Sequence, residues 1–293
     1  MEPKVTIGVP VYNGEQWLAG TVESVIEQSF SDFSVIICDN ASTDGTQNIA
    51  SELANSDSRI RYHRNTENIG VFRNLDLSFD LSNSKYFKWC LVGDYIRPDF
   101  LARAVDTLDS HVDVPLVYSK TRLIGSLANL SGIHDANLAL DSENPVSRYR
   151  EYFLRAGLNS PFHGLVRAEA LSKTSLNRPF RGSDQCLIAA LLLRGPFYRL
   201  DEELLHRRIE RSTATVTKSL DELDEFFSVD ARKVNQFPTW KFERQRFGDV
   251  MRAQLTYKQK FSLLIFLIRA LSWQRRKLLG EALSPFRSTF WRR

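Results

Sequence analysis

The sequence predicts an α/β fold, a mostly parallel sheet flanked by helices, with a C-terminal helical tail. Three observations predict it. First, Val5-Thr6-Ile7-Gly8-Val9-Pro10-Val11-Tyr12-Asn13 and Val35-Ile36-Ile37-Cys38-Asp39-Asn40 are apolar runs of strand length that stop at polar, turn-forming clusters, with a helical stretch over 18–28 between them. That is a β-α-β unit. Second, strand-like and helix-like segments go on alternating through the first half of the chain, as helices packed on both faces of a parallel sheet require. Third, the chain beyond Pro238 turns basic and takes on helical periodicity.

In order, strands are expected over residues 5–9, 34–38, 60–63, 86–92 and 116–123, and helices over 16–28, 47–56, 70–78 and 100–110. Gly14, Gly45 and Gly70 punctuate the loops. Residues 125–160 are rich in Asn, Asp, Ser and Gly and read as loops that carry specificity, ending in a helix over 146–158. Leu165-Val166 suggests a short strand and 184–193 an apolar helix, followed by residues 200–205 and the charged run Arg207-Arg208-Ile209-Glu210-Arg211. In the tail, Phe261, Leu264, Ile265, Ile268 and Leu271 share one helical stripe, with Arg269, Arg275, Arg276 and Lys277 supplying charge. The expected division is a catalytic-type domain over 1–237 and a basic helical extension over 238–293.

Composition narrows the function. No run reaches the roughly 18 apolar residues of a membrane span. Met1-Glu2-Pro3-Lys4 leads directly into a strand, with no signal peptide in view. Cys38, Cys90 and Cys186 sit in apolar surroundings and read as buried thiols. The expected location is therefore cytoplasmic. The net charge of +4 hides an asymmetry: residues 238–293 carry 13 Lys/Arg and 3 Asp/Glu, the remainder 26 and 32. A basic tail on an acidic body suggests an anionic partner for the tail. No nucleic-acid motif accompanies the charge, whereas Trp273, Trp291 and several phenylalanines among arginines suit an interfacial helix at the inner face of a membrane.

Both early strands deliver polar residues at their C-terminal ends, where open α/β sheets bind ligands. The motifs there resemble those of a known family. Pro10-Val11-Tyr12-Asn13, Asp39-Asn40-Ala41-Ser42-Thr43-Asp44-Gly45-Thr46, Asn68-Ile69-Gly70-Val71-Phe72-Arg73-Asn74, Gly93-Asp94-Tyr95-Ile96-Arg97-Pro98 and Gly182-Ser183-Asp184, in this order and spacing, resemble the inverting GT-A glycosyltransferases of family 2. The resemblance fades near residue 220. It implies a GT-A-like domain that moves a sugar from a nucleotide diphosphate to a saccharide or lipid-linked glycan in surface polysaccharide synthesis.

Carried over residue by residue, the resemblance assigns Asp39 to the nucleobase. A carboxylate there accepts the ring N–H of uracil or thymine, which implies a UDP- or dTDP-sugar; the competing reading is an Asx turn. Pro10, Tyr12 and Asn13 line the same pocket, and Glu15 either caps the next helix or touches the ribose. Asn68, Gly70 and Asn74 form the next cluster, where a helix N-terminus can face phosphate. Arg73 and Arg208 are candidates for countering diphosphate charge. Gly93 and Asp94 stand where the family carries its acidic cluster. Only Asp94 remains as a ligand for Mg²⁺ or Mn²⁺, so cation affinity is expected to be weak. Asp184, at a helix start, stands at the position of the general base; its competing reading is a helix cap. Glu210 occupies the place of an expected histidine, His206 lies upstream, and His163, beside Gly164, either faces the acceptor pocket or, as a lone histidine more often does, serves the structure. A sugar-nucleotide pyrophosphorylase is disfavoured because Val9-Pro10-Val11-Tyr12-Asn13 is not a Gly-rich phosphate loop. The alternative kept open is a non-catalytic or metal-independent sugar-nucleotide-binding relative of the same fold.

Overall fold

A computed structural model describes residues 2–126, 138–210 and 237–290. Part of the expected specificity loops and Arg211 lie outside the described residues. Eight strands form one mixed sheet in the order β3-β2-β1-β4-β7-β6-β8-β5. They are β1 (Val5–Val11), β2 (Phe33–Asp39), β3 (Ile60–Arg64), β4 (Tyr86–Trp89), β5 (Tyr95–Ile96), β6 (Leu116–Ile124), β7 (Leu165–Arg167) and β8 (Phe197–Arg208). β1 lies parallel to β2 and to β4, β2 parallel to β3, and β6 parallel to β8, while β7 and β5 run antiparallel to their neighbours. Because β2 and β3 spread to one side of β1 and β4 to the other, the chain reverses its direction of growth between β1 and β4. The crevice beyond the strand ends at that point is where α/β sheets place ligands.

Helices α1 (Leu18–Ile26), α2 (Thr46–Ser56), α3 (Val71–Asp80) and α4 (Phe100–Ser110) follow β1, β2, β3 and β5. β1 and β2 are buried along almost their whole length, which is why they read as unbroken apolar runs. One core cluster joins β1 and β2 to α1 and α4 through Ile7, Val9, Leu18, Val22, Ile37, Leu101 and Leu108.

The second core cluster involves α5 (Pro145–Arg155), α7 (Ser183–Leu192), α8 (Pro238–Arg252) and α9 (Tyr257–Trp273). Tyr149, Tyr152, Leu187, Leu191, Val250, Leu263, Phe266 and Leu267 are buried together in it. The first two tail helices thus share a core with the sheet-bearing part. Pro238 starts α8 where a missing N–H costs nothing, and Thr256 with Gln259 closes a capping box on α9. A buried Glu243–Arg246 pair at 2.9 Å sits at this junction, with the guanidinium 3.9 Å from the Phe153 ring centroid. Short α6 (Ala168–Ser172) and terminal α10 (Arg275–Phe290) complete the described helices.

The segment over 200–208, including charged Arg207 and Arg208, is part of one long strand, β8, paired along β6 with register shifts between Ser119 and Thr121. Two expectations are corrected. The strand expected over 86–92 ends at Trp89, because Gly93 adopts φ +100° and donates its N–H to Thr21 Oγ1 at 2.9 Å in a turn. On α9, the face packed into the core is Leu263, Phe266, Leu267 and Ala270, whereas Phe261 and Ile268 of the expected stripe are exposed.

Candidate functional site

The loops after β1 and β2 interlock. Asn13, at φ +53°, donates its backbone N–H to Ser42 Oγ at 2.9 Å and accepts from Thr43 N at 2.8 Å through its amide oxygen. Glu15 Oε2 accepts from Gly45 N at 2.9 Å, so it ties its loop to the start of α2 and does not cap its own helix. Pro10 lies beside Cys38 at the end of β1, and Tyr12 is exposed above it.

Asp39 closes β2 with a side chain of 0% exposure. Its Oδ1 accepts from Ser42 N at 2.8 Å, the turn that the competing reading describes. Its Oδ2 accepts from Tyr62 OH at 2.8 Å and from the Arg64 guanidinium, whose side chain is 32% exposed. Burial alone would raise the Asp39 carboxyl, but the bonds from Ser42, Tyr62 and Arg64 outweigh it and hold it below the usual range.

A second interlock extends towards α3. Buried Asn40 accepts from Asn65 Nδ2 at 3.0 Å and Ile69 N at 2.9 Å, and donates to Asn68 Oδ1 at 2.7 Å. Asn68 Oδ1 also takes Gly70 N at 2.9 Å, and Asn74 bridges Asn65 and the Cys38 carbonyl. Gly70 sits at φ +85°, a conformation open to glycine, as the chain turns into α3. Arg73 is exposed on the first turn of that helix.

Asp94 lies across the crevice in the turn after β4, 5% exposed. Its Oδ1 accepts from Arg208 N at 3.1 Å. His163 Nδ1 lies 3.2 Å from Oδ2, but off the direction a hydrogen bond needs, so Oδ2 is a buried acceptor without a hydrogen-bond partner. Burial holds the His163 imidazolium below its usual range despite Asp94. Beneath it, fully buried Lys88 donates to the His163 carbonyl, and burial pushes its ammonium down to about 8. Arg208, at the end of β8, stacks 4.0 Å from the Trp17 ring centroid and reaches Glu210 Oε1 at 3.0 Å, while its Nε is buried without a hydrogen-bond partner. Glu210 also accepts from Ser126 N at 3.1 Å. His206 pairs with Tyr95 in the sheet, one position along from Asp94.

Asp184 occupies the first turn of α7 and makes no capping bond. Its Oδ2 accepts from Asn159 Nδ2 at 2.8 Å, and Asn159 Oδ1 accepts from Tyr152 OH at 2.7 Å. Asn159 holds φ +56° and opens the 3₁₀ turn Ser160–His163, so one short turn carries Asp184's partner at its start and Asp94's neighbour at its end. A hollow lined by Tyr152, Phe153, Ala156, Gly157, Asn159 and Gln185 adjoins it. Gly182 precedes α7 at φ +86°, where a Cβ would lie 3.0 Å from the Phe242 ring, so α8 packs directly on the turn that aims Asp184.

The structure therefore gathers Pro10, Tyr12, Asn13, Glu15, Asp39, Asn68, Gly70 and Asn74 on one side, and Gly93, Asp94 and Arg208 on the other. Asp184 joins the second group through the 159–163 turn. Sequence reasoning missed Asn40, Tyr62, Arg64, Asn65, Trp17, Lys88, Tyr152 and Asn159, and gave His163 no role beside Asp94. Asn159-Ser160-Pro161 carried a turn signal and Asn40 lay inside the motif that follows Asp39; the others carried none.

The sequence model described as Glycosyl transferase family 2 matches residues 6–162, more than half of the chain. The chain belongs to glycosyl transferase family 2. An uncharacterized glycosyltransferase of Haemophilus influenzae is 26% identical over 42% of this chain and 38% of its own length. A GalNAc(5)-diNAcBac-PP-undecaprenol beta-1,3-glucosyltransferase of Campylobacter jejuni is 23% identical over 74% of this chain and 69% of its own. The chain spans about two fifths or less of the length of the first curated relatives it matches. Among solved structures, S. aureus TarS 1–349 with UDP-GlcNAc has a TM-score of 0.68 at 18% identity, covering 96% of this chain and 75% of that one. Mannosyltransferase PcManGT of Pyrobaculum calidifontis, with GDP-Man and Mn²⁺, has a TM-score of 0.53 at 15% identity, covering 96% and 85%. The fold is that of the GT-A glycosyltransferases.

Members of this fold commonly use a divalent cation. Among the described residues no group of three His, Cys, Asp or Glu side chains converges. What the site offers is one buried carboxylate oxygen, Asp94 Oδ2, with His163 Nδ1 3.2 Å away. That fits a cation held by a single carboxylate and completed by diphosphate oxygens and water, as Mg²⁺ accepts.

Proposed function

We propose that this chain transfers a sugar, with inversion, from a nucleoside diphosphate donor to a saccharide or lipid-linked glycan in surface polysaccharide synthesis. The observation that carries the reading is that the single turn 159–163 links Asp184, bonded to Asn159, with Asp94, whose buried Oδ2 lies 3.2 Å from His163 Nδ1. Asp184 takes the proton from the acceptor hydroxyl as that oxygen attacks the anomeric carbon. The bond from that carbon to the nucleoside diphosphate breaks, and a single displacement inverts the centre. Asn159 holds the carboxylate for this step. Arg208 meets the charge that builds on the departing diphosphate, and exposed Arg73 offers a second cation near the start of α3. A bound Mg²⁺ or Mn²⁺, held by Asp94, supplies further neutralisation of that charge.

The donor lies along Pro10, Tyr12, Asn13, Glu15, Asn68, Gly70, Asn74 and Gly93. Its base reaches the edge of Asp39 by sharing or displacing Arg64, which favours a uridine or thymidine nucleotide. The structural relatives in complex with UDP-GlcNAc and GDP-Man support a sugar-nucleotide donor, and the undecaprenol-linked glycan in the name of the C. jejuni relative supports a lipid-linked acceptor. Such an acceptor places the work at the cytoplasmic face of a membrane; no described helix is long and apolar enough to cross one. A metal-independent transferase is the second reading, favoured by the single carboxylate at Asp94.

The test is a thermal-shift screen of UDP-, dTDP- and GDP-sugars with and without Mg²⁺ or Mn²⁺, followed by turnover. A donor at a hundred times its Kd stabilises the fold by about 2.7 kcal/mol. Uridine or thymidine donors should raise Tm, more so with cation, and Asp94→Ala should remove the cation's increment. If no nucleotide sugar raises Tm or is turned over, the reading is wrong; full turnover in excess chelator selects the metal-independent reading.

A further inference from the structure

We infer that the outer face of α9 and the first turns of α10 form a docking surface for an anionic lipid bilayer. The inference stands on side-chain placement and needs no donor or acceptor to be tested. Helix α9 is apolar on two opposite sides. Its inner side, Leu263, Phe266, Leu267 and Ala270, is buried in the core shared with α5 and α7. Its outer side carries Tyr257, Phe261 and Ile268, which are 93%, 67% and 59% exposed, with Leu264 and Ile265 partly buried between them. Positions 257, 261, 264, 265 and 268 fall on one stripe of a 3.6-residue helix. A helix that only had to pack on its own protein would need the inner face alone, and a continuous exposed apolar stripe marks an interaction surface.

The charge around the stripe selects the partner. Lys258 and Arg269 are exposed along its edge, and α9 contains no acidic residue. On α10, exposed Leu279 and Leu283 are one turn apart and share a side with exposed Arg275 and Arg276. The one acid in these two helices, Glu281, is engaged at the start of α8, accepting from Thr239 N at 3.1 Å. A second copy of the chain would bring like charges together across the contact. Nucleic acid could stack on Tyr257 or Phe261, but it would leave exposed Ile268, Leu279 and Leu283 facing a charged backbone. Lipid satisfies both features, since acyl chains take the apolar stripe and anionic headgroups take the cations. The exposed Trp273 indole, beside Phe266, suits the depth of the headgroups.

The experiment is co-sedimentation of the full chain with vesicles of phosphatidylcholine alone and of phosphatidylcholine with phosphatidylglycerol. Three proteins are compared: the parent, Phe261→Ser/Ile268→Ser and Lys258→Gln/Arg269→Gln. All four positions are exposed, so Tm should not change. The parent should bind the anionic vesicles and not the neutral ones. The charge pair should lower partitioning by about thirtyfold, since each cation near an anionic surface contributes about fivefold. The apolar pair should lower it by about tenfold or more. Failure of the parent to bind anionic vesicles at low salt overturns the inference, as does unchanged binding by the apolar pair. A dimer in sedimentation that becomes monomer in the apolar pair would assign the face to a second copy instead.

Discussion

At the ends of β1 and β2, Asn13, Glu15, Asp39, Asn40, Asn68 and Asn74 are all engaged with neighbouring loops through hydrogen bonds of the protein's own. At the ends of β4 and β8, by contrast, Asp94 Oδ2 and Arg208 Nε are buried with no hydrogen-bond partner. The first region is satisfied before any ligand arrives and holds a shape. The second keeps hydrogen-bonding and charge capacity in reserve, which a folded protein tolerates where a ligand or a reaction will use it. The difference predicts how each side should respond to substitution: the donor side through stability and binding, the catalytic side through rate.

The largest expected effect is therefore on the catalytic side. Asp184→Asn keeps an oxygen to accept from Asn159 but cannot take a proton. Transfer should fall by about 10²–10⁴-fold, with Tm and the donor-induced thermal shift unchanged. Asn159→Gly serves as its companion: glycine keeps the left-handed backbone and removes only the amide bridge, so its smaller fall in kcat measures how much positioning contributes. Near-normal turnover in Asp184→Asn would move the base elsewhere and remove the contrast between the two sides.

On the donor side, Asn40→Ala removes the acceptor of Ile69 N and one of the two acceptors of Asn65 Nδ2, which keeps Asn74 Oδ1. The loss should cost about 1–2 kcal/mol and lower Tm by roughly 2–4 °C. Donor affinity should weaken with it, because the loops entering α3 lose their anchor. Thermal melts with and without nucleotide sugar check this. A variant with the parent's Tm but a lost rate would show that the region acts directly in chemistry.

The two sides also differ in how far the sequence revealed them. The donor side was legible because its groups come from contiguous segments, where an apolar strand ends in Asp39-Asn40 or a turn enters a helix at Gly70. Its partners Tyr62 and Arg64 were hidden, since nothing local in β3 marks a side chain that reaches across to the neighbouring strand. On the catalytic side Asp94 and Asp184 were legible through family motifs, but their junction was not. It assembles residues 94, 159, 163, 184 and 208 from four separate segments, and only the folded chain brings the 159–163 turn between them. β8 was only partly legible because Asp201, Glu202 and Glu203 interrupt its apolar pattern at a register shift. The tail stripe was legible as a stripe, yet periodicity cannot say which of two apolar faces a helix buries.

The seam between the two sides offers the most selective test. Asp76, on donor-side α3, accepts from Asn177 N at 3.2 Å and Nδ2 at 2.8 Å, and Asn177 lies in the loop that leads to α7 and Asp184. Burial pushes the Asp76 carboxyl up to about 7; the Asn177 bonds oppose the shift and Asp80 adds to it. The folded protein thus keeps this proton up to about pH 7, whereas the unfolded chain releases it near pH 4, the ordinary aspartate value being about 3.9. Between those values the native state binds more protons, so this group's contribution makes stability fall as pH rises from about 4 to about 7 and then level off. Asp76→Asn retains an oxygen for Asn177 and removes the titration. Melts of both proteins across pH 4.5–8 should start close together, with the variant gaining on the parent as pH rises and the gap constant above about 7.5. Profiles that stay parallel throughout would mean that Asp76 is already ionised in the fold, and that the seam is held by charge and not by a buried, protonated acid.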